Sequence, residues 1–540
     1  MNMTTRVALA TATCLATLTA AAQATNAAKT MNYTNRFDTA TAGVYERREA
    51  DWRNGPVVYQ VLVDRFAPSA NLDAKRALYP APKVLRSWNE VPARGTYRSD
   101  VGVWSHEIDF WGGDLASTAA RLDHVQQLGA DVLYLNPIHL GFTNHKYDSL
   151  DYNAISPEFG SRDDVRKLAA ELKRRNLKFV LDGVFNHMGH NAPAFKAAMS
   201  DHAAGRKGPY SDWFVFGPQF KDGVRRWWNV ESLPELNLES PAVRAHVYSA
   251  PDSVVRSFLR DGIDGWRLDV AFDIGFAVLN ELTQAAHAEK PGSLVVGEIA
   301  NYPKEWFPSV DGVMHFTLRH LLLSTADRRL PAPAAQRMIT RLIGDADYEH
   351  ILKSWIYLDN HDTFRVATTL PEPKARRIAQ VLQFTLPGSP NLYYGSEVAM
   401  EGGDDPEMRA PMRWDLVDKA HPELAWTKQL TALRKQHRAL RIGDFRTLEA
   451  QNLMAFQRYT DRAADAVYVF VNPSLNEVAE TVLLTDSKAM DGTVLKDLLG
   501  GTDERIGASL LTLKMPPQSF KVLRPVIGTP EGYNNYKRVQ

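Results

Sequence analysis

This sequence has one cysteine, no net charge and few long apolar runs. Its 540 residues include a single cysteine, Cys14, which excludes a disulfide within one chain. Lys and Arg together number 63, as do Asp and Glu, so no net field would attract nucleic acid or an anionic membrane. These absences favour a neutral partner and a fold that is stabilised by an ordinary hydrophobic core.

The first 24 residues have the composition of a secretory signal peptide. Arg6 precedes an apolar run rich in Ala and Thr, and an A-x-A pattern ends at Ala24. Cleavage after Ala24 would remove Cys14 and leave a mature chain without a thiol. We therefore expect a periplasmic or secreted protein that does not stay in the membrane, with residues 25–50 as an N-terminal segment.

Eight short apolar runs alternate with helical stretches from residue 57 onward. This alternation predicts a parallel βα architecture, and near-continuous apolarity is typical of strands that helices cover on both faces. The runs are 57–66, 131–138, 178–185, 264–271, 293–299, 311–316, 354–360 and 391–396. We therefore predict an α/β fold, a (β/α)8 barrel over residues 51–440. One helix is expected over residues 115–128, ended by Gly129.

Two further regions are predicted around this barrel. The stretch 187–240 is far longer than an ordinary βα loop, so we expect an inserted subdomain over the mouth of the barrel. After residue 440 the pattern changes to short apolar strands separated by turn residues, which predicts a C-terminal β-sandwich domain over 441–526. The remaining residues, 527–540, form a polar tail.

Polar side chains are concentrated where the predicted barrel strands end. In (β/α)8 barrels this face carries the catalytic residues. Arg267 and Asp269 are two residues apart and therefore share one face of a strand. The full set is Asp182, Asn186 and His187 on the third strand, Arg267 and Asp269 on the fourth, Glu298 on the fifth, and His361 and Asp362 on the seventh.

The segments DGVFNH, GWRLDVA, GEI and LDNHD resemble the four short signatures of the α-amylase family, in the family's order. The resemblance extends over about residues 57–525. It implies that Asp269 is the nucleophile, Glu298 the general acid/base and Asp362 the carboxylate that stabilises the transition state. It also implies that Arg267 lowers the pKa of Asp269 and that His187 and His361 bind sugar hydroxyls. A retaining glycosidase needs such a pair, one carboxylate to attack and one carboxylic acid to protonate the leaving oxygen.

Further segments resemble the neopullulanase, cyclomaltodextrinase and maltogenic amylase subgroup. Residues 144–160 resemble the subgroup's segment after the second strand, which implies that Tyr147 stacks on the sugar and that His145 binds a hydroxyl. In the segment 402–415, the resemblance implies that Asp405 and Arg409 contact the same sugar. The sequence departs from the subgroup at Phe272 and Asp273, and its first strand begins too early for the subgroup's N-terminal β domain.

Calcium is the one metal that the resemblance implies. Asn186 matches a calcium position of the family, and Asp114 lies in the GGD motif of a second, subgroup site. In the loop after the first strand, Asn71 and Asp73 would supply the remaining oxygen ligands, which suit a hard cation. An ordinary solvated loop is the alternative. No organic cofactor is expected.

The sequence thus predicts a retaining hydrolase of α-1,4-glucosidic bonds in maltooligosaccharides, cyclodextrins, starch or pullulan. Two enzymatic alternatives on the same fold are a transglycosylase and a sucrose-active relative. An alternative of another class is a catalytically silent carbohydrate-binding protein, which the presence of all three carboxylates disfavours. Linkage preference and oligomeric state remain open.

Overall fold

The computed structural model describes residues 40–419, 421–528 and 536–537. The predicted signal peptide, most of the N-terminal segment and most of the polar tail lie outside these residues. Within them, the chain begins with a helix, Val44–Ala50, that leads directly into the first barrel strand. No helix of the described part combines the length and apolarity that crossing a bilayer requires.

Eight parallel strands close into a barrel, as predicted. They are β1 (Val58–Val61), β2 (Val132–Leu135), β3 (Lys178–Gly183), β4 (Gly265–Leu268), β5 (Leu294–Ile299), β6 (Gly312–His315), β7 (Trp355–Tyr357) and β8 (Ser389–Tyr393). Closure is direct, because Val58 of β1 pairs with Val132 of β2 on one side and with Asn391 of β8 on the other. Parallel strands carry all of their carboxyl ends to one face, so the polar residues of the sequence motifs meet there.

Helices surround the barrel and bury its outer face. They are Val63–Phe66, Leu115–Ala120, Leu122–Leu128, Arg162–Arg174, Pro241–Arg244, Val254–Arg260, Ala271–Ile274, Phe276–Glu289, Phe316–Ala326, Ala332–Gly344, Tyr348–Lys353, Val366–Thr369, Pro373–Thr385, Trp414–Asp418, Pro422–Gln436 and Arg438–Ile442. The barrel interior is filled by side chains such as Tyr134, Met314 and Trp355, all fully buried. The barrel is therefore a packed core and not a pore.

The prediction of one helix over residues 115–128 is wrong in detail. The structure has two helices, Leu115–Ala120 and Leu122–Leu128, because Arg121 leaves the helical conformation at φ −108° and ψ 10°. The Arg121 guanidinium lies 4.1 Å from the ring of Trp414, a cation–π contact that accompanies this break. Gly129 ends the second helix at φ 89°, as the sequence indicated.

The segment between β3 and β4 extends over the barrel mouth. It contains the helix Pro193–Ala203 and isolated pairings that include His187 with Glu235 and Arg226 with Pro234. A second projection follows β1, where the short strands Tyr97–Arg98 and Val103–Trp104 pair as a hairpin. Shorter pairs join Val84–Leu85 to Asp109–Phe110 and His139–Gly141 to Ser149–Ile155.

A separate all-β region follows the barrel. Its six-stranded sheet contains Asp444–Thr447, Met454–Tyr459, Val467–Asn472, Ser519–Pro525, Val494–Asp497 and Glu504–Arg505, in that spatial order. A two-stranded sheet, Val478–Leu483 with Leu510–Met515, packs its alternating buried side chains against the larger sheet. Leu453, Phe470 and Leu513 belong to the core between them.

Candidate active site

Arg267 is the centre of the polar cluster at the carboxyl ends of the strands. It lies on β4 and is fully buried. Its Nη1 donates to Asp182 Oδ1 at 2.8 Å and to Asp269 Oδ1 at 3.0 Å. Its Nη2 lies 2.8 Å from Glu298 Oε1. One guanidinium therefore holds the predicted nucleophile and the predicted acid/base on two different nitrogens.

The turn after the nucleophile fixes the other oxygen of Glu298. Val270 adopts a left-handed conformation, φ 43° and ψ 43°, which a β-branched residue rarely accepts. In this conformation its backbone N–H donates to Glu298 Oε2 at 2.9 Å. Asp269 is tied at its own backbone, where its N–H donates to Gly183 O on β3 at 3.0 Å. Such strain at a site where chemistry occurs is typical of a functional turn.

The pKa of Asp269 differs from the sequence prediction. Burial raises this pKa well above its ordinary value, Arg267 lowers it, and the negative charges of Glu298, Asp182 and Asp362 raise it further. The balance is upward because burial is the largest cause, and because Arg267 also pairs with Asp182 and Glu298. Because a carboxylate must be ionised to attack, the raised pKa makes the predicted role of Asp269 sensitive to low pH.

Asp362 is the third predicted catalytic carboxylate, and it faces the open cleft. Burial alone would raise the pKa of Asp362, but His361, Arg409 and Arg267 hold it below its ordinary value. His361 Nε2 lies 3.0 Å from Asp362 Oδ2, and Arg409 Nη2 donates to Oδ1 at 3.1 Å. Asp362 is thus an ionised group positioned to complement positive charge on a bound sugar.

His187 is held neutral with one ring nitrogen free. Burial lowers its pKa to about 3. Among the described residues its Nε2 has no hydrogen-bond partner, and it lies 3.9 Å from Asp269 Oδ2. Trp227 stacks on the imidazole with ring centroids 5.5 Å apart, and its indole N–H donates to Asp273 Oδ2 at 2.9 Å. A neutral imidazole in this position is suited to bind a sugar hydroxyl.

Tyr147 lies at the floor of the cluster. Its hydroxyl donates to Asp182 Oδ2 at 2.9 Å and lies 2.6 Å from His361 Nε2. The rings of Tyr147 and His361 stack with an interplanar angle of 4°. The other nitrogen of His361 lies 3.0 Å from Gln60 Nε2 on β1. These contacts fix two predicted sugar-binding side chains in one orientation.

The remaining predicted contacts are joined to this floor by hydrogen bonds and ion pairs. His145 Nε2 lies 3.2 Å from Glu107 Oε1, and its Nδ1 accepts the Tyr147 backbone N–H at 3.1 Å. Arg409 donates from Nε to His361 O at 2.8 Å, and its Nη1 lies 3.4 Å from Asp405 Oδ1. The structure therefore brings together all ten predicted catalytic and sugar-binding residues, although both nitrogens of His145 already have protein partners.

Sequence reasoning missed the role of Asp182. This residue accepts hydrogen bonds from Arg267, Tyr147 and Tyr134, the last at 2.6 Å. Its place in DGVFNH, at the end of β3, was the available signal. The hydrogen-bond partners of Asp182 could not be predicted from the sequence, because they come from three other segments of the chain.

Asp114, Asn71 and Asp73, the predicted ligands of one calcium site, are paired or exposed in the structure, and Asn186 belongs to a second predicted site. Asp114 caps the helix Leu115–Ala120 through Ser117, and its Oδ2 forms an ion pair with the Lys75 ammonium. A resident ammonium there does not fit a calcium site. Asp73 is exposed and pairs with Arg76, Asn71 is exposed, and Asn186 lies beside His187. The described residues contain no group of three or more His, Cys, Asp or Glu side chains suited to hold a metal. Calcium therefore stays a prediction, and the Asp114 carboxylate is paired with Lys75.

Comparison with known proteins identifies similar chains. Residues 60–421 match the family described as "Alpha amylase, catalytic domain". A cyclomaltodextrinase from Geobacillus thermopakistaniensis is 32% identical over 489 residues, which cover 87% of this chain and 77% of that protein. Neopullulanase 2 from Thermoactinomyces vulgaris is 32% identical over 421 residues, 76% of this chain and 68% of that protein. Among solved structures, the cyclic α-maltosyl-(1→6)-maltose hydrolase from Arthrobacter globiformis superposes with a TM-score of 0.73 at 28% identity, covering 88% of this chain and 99% of that one.

Proposed function

Because this chain belongs to the α-amylase family of glycoside hydrolases, we propose that it hydrolyses α-1,4-glucosidic bonds with retention of anomeric configuration. The substrates would be maltooligosaccharides, cyclodextrins, starch or pullulan, in keeping with the names of its relatives. The observation that carries this proposal is Arg267, which holds Asp269 and Glu298 on separate nitrogens with Asp362 ionised beside them.

The first half of the reaction forms a bond to Asp269. A carboxylate oxygen of Asp269 attacks the anomeric carbon, the bond from that carbon to the glycosidic oxygen breaks, and Glu298 gives its proton to the departing oxygen. Asp362 stabilises the positive charge that develops on the ring. His187 Nε2 and the Tyr147–His361 pair orient the sugar.

The second half restores the enzyme. Glu298, now a carboxylate, takes a proton from water as the water oxygen attacks the anomeric carbon, and the bond from that carbon to Asp269 breaks. Two inversions give net retention. A sugar hydroxyl in place of water would give transglycosylation.

Product analysis tests this proposal. The mature protein is incubated with maltoheptaose, β-cyclodextrin, pullulan and sucrose, and products are resolved by chromatography and by NMR of the anomeric protons. We expect α-anomeric maltooligosaccharides from the wild type and none from Asp269→Asn. Sucrose turnover alone would indicate a sucrose-active enzyme, and intact substrates throughout would indicate a binding protein.

Export of the protein is a separate proposal that rests on the residues alone. The basic start, the apolar run and the A-x-A pattern within residues 1–24 support cleavage after Ala24 and a periplasmic or extracellular location. N-terminal sequencing of protein recovered from the periplasm or medium tests it. A mature chain that begins at Thr25 is expected, and an intact Met1 terminus in the cytoplasm would contradict it.

A further inference from the structure

Three buried amide side chains form a hydrogen-bonded chain that ends at the imidazole of His361. They belong to Asn391 on β8, Gln60 on β1 and Asn136 directly after β2, and each is at most 1% exposed. An amide has an oxygen that accepts hydrogen bonds and a nitrogen with two hydrogens to donate. The direction of these hydrogen bonds therefore determines which nitrogen of His361 carries a proton.

The direction is set at Asp182. A carboxylate only accepts hydrogen bonds, and Asp182 Oδ2 accepts the single hydroxyl proton of Tyr147 at 2.9 Å. Every other partner of that hydroxyl must then donate to it. Asn136 Nδ2 does so at 3.0 Å, and His361 Nε2 lies 2.6 Å away. His361 therefore carries a proton on Nε2, where Asp362 Oδ2, 3.0 Å away, is a second acceptor.

The same chain of hydrogen bonds turns donors toward the other nitrogen of His361. Because Asn136 directs its amide nitrogen to Tyr147, its Oδ1 is left to accept from Gln60 Nε2 at 3.1 Å. The second hydrogen of Gln60 Nε2 is available to His361 Nδ1, 3.0 Å away, and Asn136 Nδ2 lies 3.2 Å from the same nitrogen. Asn391 Nδ2 holds the Gln60 oxygen at 3.3 Å. A proton on Nδ1 would face the N–H groups of two amides.

We propose that Gln60 is a positioning residue that keeps the proton of His361 on Nε2 and leaves Nδ1 without one. The inference rests on the proposed hydrolase function and deepens it. In this form, His361 donates to Asp362 or to a sugar hydroxyl without placing a positive charge beside Asp362. More of the negative charge of Asp362 then acts on the cation-like sugar of the transition state.

The first test locates the proton of His361 by NMR. In protein that contains histidine labelled with NMR-active nitrogen, the chemical shift of each ring nitrogen depends on whether that nitrogen carries a proton. The His361→Asn variant identifies the signals of His361. The wild type should have a proton on Nε2 and none on Nδ1, and a proton on Nδ1 would overturn the inference. This measurement requires no substrate, so its outcome is independent of the hydrolase proposal.

The second test replaces the Gln60 donor by an acceptor of the same shape. In Gln60→Glu, the new carboxylate can accept from Nδ1, so a proton should appear on that nitrogen. The kcat for maltoheptaose should fall about a hundredfold, with KM changed less than about threefold, because the loss concerns the transition state. Gln60→Met removes the donor and adds no acceptor. It should keep the proton on Nε2 and at least about a tenth of the wild-type kcat.

Controls separate this effect from damage to the fold. Gln284→Glu, the same substitution on an exposed helix surface, should leave kcat unchanged. Thermal unfolding followed by circular dichroism should show that both Gln60 variants are folded at the assay temperature. A loss of kcat in Gln60→Glu without a proton on Nδ1, or an equal loss in Gln60→Met, would overturn the inference, because packing or added charge would then explain the loss. Intact maltoheptaose with the wild type would instead refute the hydrolase proposal, while the NMR measurement would still locate the proton.

Discussion

Two clusters of buried charge in this protein differ in whether their positive and negative groups balance. At the barrel mouth, the single guanidinium of Arg267 faces three carboxylates, those of Asp182, Asp269 and Glu298. The cluster therefore carries more negative than positive groups. Among the described residues, Arg267 is the one cation within hydrogen-bonding distance of Asp269. No second cation there relieves the excess of negative charge.

The second cluster lies in the loop that carries Tyr147, and there the charges are balanced, since Lys146 and Lys83 face the carboxylates of Glu158 and Asp148. The carboxylate of Glu158 lies between two ammonium groups, Lys146 Nζ at 2.5 Å and Lys83 Nζ at 3.0 Å. Aromatic faces also contact one of the cations, since Lys146 Nζ lies 5.0 Å from the ring centroids of both Phe110 and Phe159. Burial lowers the pKa of Lys146, whereas the charge of Glu158 raises it.

The contrast distinguishes structural from functional charge. In the lysine cluster, the protein itself supplies a partner for each charge, and the result is a fixed loop. In the Arg267 cluster, the unmatched negative charge is left for a proton and for the cation-like sugar of the transition state. An imbalance that the protein does not resolve thus identifies the site where the ligand completes the electrostatics.

The largest expected effect is that of replacing Asp269, the proposed nucleophile. Asp269→Asn should lower kcat by at least about 10⁴-fold, because the covalent route is lost. Steady-state hydrolysis of maltoheptaose measures this. Asp163→Asn, on an exposed helix surface, is the matched control and should keep full activity. More than about a hundredth of wild-type activity in Asp269→Asn would contradict the assignment of the nucleophile.

Replacing Asp182, another carboxylate of the Arg267 cluster, would reduce the excess of negative charge there. Asp182→Asn should lower kcat about a hundredfold, since Tyr147 and Arg267 both lose a charged partner. The negative charge of Asp182 raises the pKa of Asp269, so its removal lowers that pKa. Because Asp269 must be ionised to attack, the acid limb of kcat/KM should move to lower pH. An acid limb that stays in place or moves upward would show that the excess charge does not control ionisation.

The lysine cluster should respond in stability and not in chemistry. Lys146→Met removes a buried partner of Glu158 and should reduce the free energy of unfolding by about 3 kcal/mol. Denaturant titration followed by circular dichroism measures the loss, with the exposed Lys167→Met as the control. The acid limb of the pH profile should not move. A shift of that limb without loss of stability would remove the distinction between the two clusters.

The smallest effect is expected at the Asp114–Lys75 pair. Lys75→Ala should reduce the free energy of unfolding by about 1 kcal/mol, because Asp114 keeps its hydrogen bond from the Ser117 backbone. A chelator such as EDTA should leave the thermal midpoint of the wild type unchanged, since a protein ammonium already occupies the carboxylate. A midpoint that falls with EDTA and recovers with calcium would establish a metal site in this protein after all.

Much of the fold follows from local sequence. All eight barrel strands overlap the predicted apolar runs, because a strand buried on both faces has to be apolar along its length. The positions of the three proposed catalytic carboxylates were also predictable, since each lies in a short contiguous motif at a strand end. These features require no knowledge of which segments meet in space.

What could not be predicted depends on contacts between distant segments. The two strands of the hairpin at Tyr97–Arg98 and Val103–Trp104 have two residues each, too few for a periodic pattern. Their stability comes from Glu231, more than a hundred residues away along the chain. Lys75 likewise reaches Asp114 from a loop whose sequence gives no sign of the pairing. The rise in the pKa of Asp269 also depends on three charges from other strands.

The left-handed turn at Val270 has a consequence for protein engineering. A residue held in such a conformation costs roughly 1–3 kcal/mol, and glycine would relieve most of it. A screen that selects only for heat resistance would therefore favour glycine at this position. The same change would loosen the peptide N–H that orients Glu298, and turnover would fall. At this one peptide, higher thermostability would lower the rate of turnover. Stabilising substitutions should therefore be placed in the outer helices and the β-sandwich, and the turn at Val270 should be left unchanged.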